Sequence, residues 1–362
     1  MESMCESKSV DTDKNRLPRL LAPIRSLSGA VKVLEAGADE IYCGVRTPGL
    51  EDFQLYRGVA TEIPSYDELE KITGYAHNHA GKVLLTVNQP FMTDSMEEIL
   101  AKHIRTCVDR GVDALIIGDL GVLQLAKSVA GNIPLYASTY LSAMNKEAVE
   151  FLRESGFSRV ILERHVPFEQ ISEIAKGSNV DVEIFIHGSG CSNVNVNCYL
   201  FHYKFPAMEQ GLLKIDGIKF PCSLPFSVYE DEENTSIGTF QILDAYTFCS
   251  LCKLPSLVKS GVTGLKIEGR GINEDYQAST TKMYRDSIDL IQKGDLEGFQ
   301  ENLKKLQETF IPLPHDLPLN NLKELCCEQN RCYYSPQFHA PYKTKLAWQT
   351  WTKLQCKLLV LQ

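Results

Sequence analysis

From Leu20 to Arg270 the chain alternates short apolar runs with amphipathic stretches, and this alternation constrains the fold more than any single motif. The runs occupy residues 20–23, 40–45, 82–88, 114–119, 134–139, 159–164, 182–188 and 264–270. Each is too short to stand as a helix and reads as a buried strand. Between them lie SGAVKVLEAGA, MEEILAKHIRTCVDRGV, GVLQLAKSVAG, NKEAVEFLRESG and PFEQISEIAKGS, which have helical periodicity and mostly end at a glycine. Alternating strands and helices imply a parallel sheet. Eight such units in roughly 250 residues fit a (β/α)8 TIM-type barrel, regular or distorted, better than an open sheet.

The spacing breaks once. Residues 188–264 separate the seventh run from the eighth, where a short connection is usual. This insertion carries Cys191, Cys198, Cys222, Cys249 and Cys252. Barrel active sites are built from the loops after the strands, so these thiols fall where chemistry is expected. The organisation read from the sequence is a disordered leader over 1–18, a barrel domain over 19–295 that includes the insertion, and a helical and irregular extension over 296–362. In that extension 311–321 is a proline-rich breaker, and Cys326, Cys327 and Cys332 read as tail packing.

The formal charge is −9 at pH 7. An acidic chain is a poor general nucleic-acid binder, because phosphate affinity is built from Lys and Arg. The expected partner is therefore a small-molecule or aromatic substrate, together with a homo- or hetero-oligomeric protein partner, with room left only for a local RNA contact. No run of about 18 apolar residues is present, so no membrane span is expected. The N-terminal stretch lacks a signal-peptide core, and a cytoplasmic location is expected. In a reducing compartment the 12 cysteines serve better as ligands or catalysts than as disulfides.

Spacing alone leaves the cysteines open between a metal or cluster, buried structural thiols and a lone catalytic cysteine. Cys249 and Cys252 fit the C-x2-C pattern of zinc ligands, whereas Cys191 and Cys198 do not. Iron–sulfur clusters also use four thiolates, with looser spacing. Asn88, Asp119, Ser138, Thr139, Glu163, Arg164, His187, Lys266, Glu268 and Arg270 sit at strand ends and should ring the barrel mouth. Lys266, Glu268 and Arg270 alternate, so they share a face. They read either as a salt-bridged strand end or as an anion-binding pair with Glu268 as proton carrier. His187 reads either as a hydrogen-bonded loop histidine or as an acid–base group. No G-x-S-x-G, H-E-x-x-H or Walker motif is present.

The stretches LLAPIRSLSGAVKVLEAGADEIYCGV, LLTVNQPF, DALIIGDLGVL, PLYASTYLSAMN, VEIFIHGSGC and LCKLPSLVKSGVTGLKIEGR occur in the order found in the collagenase-like peptidase family, peptidase family U number thirty-two. The chain resembles that family from about Leu20 to Arg270. The resemblance implies a [4Fe-4S] cluster on Cys191, Cys198, Cys222 and Cys252, with zinc or no metal as the alternatives. It implies an oxygen-independent hydroxylase whose cluster mediates electron transfer or binds an oxygen donor. Catalytic candidates are His187, Glu268, Arg270 and Lys266. The alternatives are a peptidase or hydrolase, as the family name suggests, and a non-catalytic cluster-bearing subunit. This sequence departs from the family where Asn195, Val196 and Asn197 precede Cys198. It departs again where Arg164-His165-Val166 replaces Arg-Glu-Leu, with Glu163 the nearest carboxylate.

Overall fold

The computed structural model describes residues 17–47, 49, 62–88, 93–189, 194, 226–230, 235–240, 247–309 and 333–334. Eight parallel strands close into a barrel. They are β1 (Arg19–Pro23), β2 (Glu40–Cys43), β3 (Lys82–Val87), β4 (Ala114–Ile117), β5 (Leu135–Ala137), β6 (Arg159–Ile161), β7 (Asp181–Ser189) and β11 (Gly264–Ile267). Each strand pairs in parallel with the next, β7 pairs with both β6 and β11, and β11 returns to β1, so the ring has no open edge. The eight apolar runs are these eight strands.

Helices α1 (Leu27–Glu35), α2 (Tyr66–Asn78), α3 (Asp94–Asp109), α4 (Leu120–Val129), α5 (Lys146–Glu154) and α6 (Phe168–Gly177) connect the first seven strands. The short α7 (Leu254–Val258) leads into β11, and α8 (Glu274–Gln292) and α9 (Leu296–Thr309) follow it. Side-chain caps set several starts. Ser26 accepts from Gly29 N–H at 3.0 Å, Asn145 from Ala148 N–H at 2.8 Å and Asn273 from Asp275 N–H at 2.8 Å. The strands β1, β2 and β4 are buried on nearly every residue, as expected when helices cover one face and barrel side chains fill the other. Each fully buried Leu or Ile of this core contributes about 1.5–3 kcal/mol.

The base of the barrel is closed by charge. Arg159 opens β6 and donates to both oxygens of Glu40, which opens β2, at 2.6 and 2.9 Å. The same guanidinium donates to Glu183 at 2.9 Å and stacks on Tyr136 with 4.2 Å from Cζ to the ring centroid. Arg19 joins through Glu40 at 3.2 Å and through Asp181.

Inside the insertion, β8 (Phe226–Glu230) and β9 (Thr235–Phe240) form an antiparallel pair. β10 (Thr247–Cys249) then runs antiparallel to the far end of β7, with Cys249 opposite His187. This pairing brings the insertion back at the C-terminal end of β7, the end where barrel chemistry is found. The leader through residue 16, Cys191, Cys198, Cys222 and the tail cysteines Cys326, Cys327 and Cys332 lie outside the described residues.

Candidate active site

A pocket opens at the mouth, with about 620 Å³ of empty space that includes open solvent. Its aromatic wall is Tyr42 from β2 and Phe185 from β7, with Ile116 and Ile161 beside them. Thr86, Asn88, Ser138, Thr139 and Tyr140 supply hydroxyl and amide groups, and Arg164, Lys266, Glu268 and Arg270 supply charge. Apolar walls with a few converging polar groups are the usual form of a small-group binding site.

Of the four residues singled out for catalysis, three line this pocket. Lys266 lies on β11, with Nζ 4.1 Å from the Tyr42 ring centroid and 3.3 Å from Glu183. Burial pulls its pKa below the ordinary lysine range, and the Glu183 carboxylate opposes that shift. Glu268 pairs with Arg164 at 2.8 Å, and Arg164 in turn stacks on Phe185 at 4.2 Å. β11 ends at Ile267, so Arg270 reaches the pocket from beyond the strand. Its Nη1 donates to Thr86 Oγ1 at 3.0 Å.

His187 is the fourth, and it is buried behind the mouth rather than on the pocket wall. Its Nε2 shares a hydrogen bond with the Tyr276 hydroxyl at 2.9 Å, and Nδ1 lies 3.5 Å from the Tyr284 hydroxyl. Burial pushes its pKa down to about 3, so the ring is neutral at pH 7. Gly188 follows it at φ +129°, and a Cβ there would fall 2.5 Å from Glu268 Cβ. Only glycine lets the end of β7 approach Glu268 this closely.

Two other strand-end candidates have local roles. Asp119 caps α4, accepting from Val122 N–H at 2.9 Å. Glu163 accepts from Arg164 N–H at 3.0 Å. The residues that sequence reasoning passed over are Tyr42, Phe185, Thr86 and Glu62. Inward alternation along β2 and β7 is the signal that marks the two aromatics. Glu62 has none, because it joins the mouth through an isolated bridge from Val45 to Ile63. Around Gly44 a Cβ would meet Arg270 Nη1 at 2.7 Å, Glu62 Oε1 at 3.1 Å and Thr86 Oγ1 at 3.3 Å, so this cluster exists because position 44 has no side chain.

Of the four proposed cluster ligands only Cys252 is described, and its side chain is exposed. Cys249, its partner in the C-x2-C pair, is buried, with its sulfur accepting from Leu251 N–H at 3.3 Å and lying 3.8 Å from the Tyr284 hydroxyl. No group of three or more His, Cys, Asp or Glu residues converges among the described residues.

The profile of peptidase family U32 matches residues 25–312. The chain belongs to this family. The 23S rRNA 5-hydroxycytidine C2501 synthase of Escherichia coli is 29% identical over 81% of the chain and 42% of its own length. The tRNA hydroxylation protein P2 of Bacillus subtilis is 28% identical over 82% of the chain and 94% of its own length. An uncharacterized protease of Methanocaldococcus jannaschii is 28% identical over 79% of the chain and 70% of its own length. The chain thus spans less than half the length of the first of these U32 proteins and nearly all of the second. Two names concern RNA, and they overturn the expectation of a small-molecule or aromatic substrate with nucleic acid set aside. Net charge misled because it sums the whole surface, whereas Arg164, Lys266 and Arg270 gather positive charge at one mouth. No helix among the described residues is long and apolar enough to cross a membrane.

Proposed function

We propose that this chain is an RNA-modifying enzyme of the hydroxylation type that takes a nucleobase into the mouth pocket. The observation that carries the proposal is the pocket itself, where three aromatic residues, Tyr42, Tyr140 and Phe185, and three basic ones surround a recess reachable from outside. Enzymes that act on a base draw it out of its stack and hold it by aromatic contact and hydrogen bonds. Tyr42 and Phe185 offer the faces. Arg270 and Lys266 offer donors to base carbonyls or a neighbouring phosphate, and Glu268 and Asn88 offer acceptors.

Cys191, Cys198, Cys222 and Cys252 would hold a [4Fe-4S] cluster. When bound, the cluster supplies redox chemistry that the Lys, Arg, Glu, Ser and Thr side chains of the pocket lack. These side chains bind and orient the base, and Glu268 is the carboxylate placed to move a proton. The hydrolase reading asks His187 and Glu268 to activate water. In the structure His187 is engaged by two tyrosines and does not line the pocket, which leaves the hydrolase reading without its histidine at the site.

The test compares rRNA and tRNA nucleosides by mass spectrometry from cells with and without the chain, alongside iron and sulfide analysis of protein purified without oxygen. The expected result is one nucleoside heavier by one oxygen atom, present only with the chain, and iron bound by the wild type but not by Cys191→Ala. Identical nucleoside profiles would remove the RNA reading. A nucleoside change that the isolated chain cannot reproduce with its reductant and oxygen donor would favour the subunit alternative.

A further inference from the structure

Tyr333 and Tyr334 lie beyond the matched family region and far along the chain from the barrel strands, yet both are buried against the mouth. The Tyr334 hydroxyl donates to the Phe185 carbonyl of β7 at 2.7 Å. The Tyr333 N–H donates to the Cys249 carbonyl of β10 at 3.3 Å. Arg164 and Glu268 are the charged groups that act on the Tyr333 hydroxyl, which places it beside their pair. Neither tyrosine lines the pocket, so the pair stands behind the wall that Arg164, Glu268 and Phe185 present.

Arg164 is thus flanked by a carboxylate and a ring, with the buried Tyr333 as a further neighbour. Glu268 pairs with it at 2.8 Å, the Phe185 ring lies 4.2 Å from its Cζ, and the Tyr333 hydroxyl feels its charge. An arginine gains from such fixation because its planar fork then loses little rotamer freedom on meeting a ligand. A binding group is effective only if its supporting contacts hold it to within about half an ångström. Phe185 is steadied in the same way, through the carbonyl that Tyr334 bonds.

We propose that the Tyr333–Tyr334 pair is a positioning element of the mouth pocket, which fixes Arg164 and Phe185 for ligand contact and makes this part of the tail a component of the site. The nature of that ligand rests on the RNA reading above; the fixation of Arg164 does not.

Tyr333→Phe keeps the ring and the backbone bond and removes only the hydroxyl. Two readouts separate the questions. The first is the rate at which phenylglyoxal modifies Arg164 in the native full-length protein, followed by peptide mass spectrometry. It is expected to rise severalfold in the variant, with the melting temperature little changed. The second is KM for the RNA substrate, expected to rise roughly tenfold, as for the loss of one hydrogen bond to a charged group, while kcat changes less. If Tyr333→Phe does not fold, nitrogen-15 arginine spectra of the wild type decide, with the Arg164 Nε–H exchanging more slowly than exposed arginines. Unchanged labelling with unchanged KM overturns the proposal, as does a lower melting temperature with unchanged labelling, or fast exchange at Arg164 in the wild type. If the wild type turns over no RNA, the RNA reading falls and the labelling ratio alone decides the positioning role.

Discussion

Arg159 opens β6 at the base of the barrel, and Arg164 lies just past the end of the same strand at the mouth. Each guanidinium stacks on an aromatic ring at 4.2 Å, Tyr136 for one and Phe185 for the other. Each pairs with a carboxylate from another part of the ring, Glu40 for one and Glu268 for the other. Arg159 is 0% exposed, and Glu40 and Glu183 accept from its Nη1 and Nη2 in a buried network. Arg164 pairs with Glu268, neighbours Tyr333 and lines a pocket. The same trio of arginine, carboxylate and ring is structural where every direction is closed, and available for binding where one direction faces a cavity. Lys266 spans the two regions, bonded to Glu183 of the base network while lining the pocket.

The largest effect is expected at the base. Arg159→Met leaves Glu40 and Glu183 buried without their cation, and breaking a buried pair in this way costs about 3–5 kcal/mol. Denaturant unfolding measures it. A loss below about 1 kcal/mol would mean that the base is no more closed than the mouth.

At the mouth the loss should appear in function. Arg270→Gln is expected to lower kcat/KM on RNA by roughly tenfold to a hundredfold, the range for one hydrogen bond from a charged group. Its melting temperature should move by only a few degrees. Early melting with normal turnover would place Arg270 with Arg159 as a structural residue.

A buried titratable group with no charged partner among the described residues should behave differently from both. His103 on α3 bonds the hydroxyls of Thr47 at 3.2 Å and Tyr66 at 3.0 Å. Burial pushes its pKa down to about 4. Below about pH 6.5 the unfolded chain binds a proton there that the folded chain refuses, so stability falls as pH drops from about 6.5 towards 4. The expected contribution is about 2 kcal/mol between pH 6.5 and pH 4.5, and His103→Gln should flatten that limb of the curve. An unchanged slope would show that His103 accepts its proton in the fold.

The smallest effect sharpens the contrast between two carboxylates. Burial raises the pKa of Glu40, but the hydrogen bond and charge of Arg159 outweigh it, so the group titrates below its ordinary value. Its stabilisation is complete above the ordinary carboxylate range and is lost as pH falls through the lowered value. At Glu62 burial wins over Arg270 and Arg46, and the pKa is raised. Its contribution is complete at acid pH and declines as pH rises through the raised value. At pH 7 Glu40→Gln should destabilise the protein, whereas Glu62→Gln should be neutral or stabilising by less than about 1 kcal/mol. Destabilisation by both variants would erase the distinction between the two ends.

The barrel was legible because strands buried on both faces read as continuous apolar runs, and Ile41, Leu84 and Ile116 fill such runs. α2 was missed because its face is mixed, with Asp67, Glu68, Glu70 and Lys71 around the buried Leu69 and Ile72. The signal present was a Ser65-x-x-Glu68 start, and Ser65 accepts from Glu68 N–H at 3.2 Å. Lys266, Glu268 and Arg270 could be read as neighbours at one mouth, although β11 ends at Ile267 and only Lys266 lies on the strand. Their partners Glu183, Arg164 and Thr86 could not, because strand register and barrel closure bring them together. Tyr333 was illegible for a stronger reason: its burial depends on contacts with β10 and Arg164, which no local pattern encodes.

The most direct test of the mouth as the RNA site is ultraviolet crosslinking of a thiouridine-bearing RNA to the full-length protein, with the crosslinked peptides mapped by mass spectrometry. Crosslinks are expected on peptides carrying Tyr42, Tyr140 or Phe185, reduced in Arg270→Gln. Crosslinks confined to the outer helices or to the base around Arg19 and Asp181, and unchanged in Arg270→Gln, would contradict it.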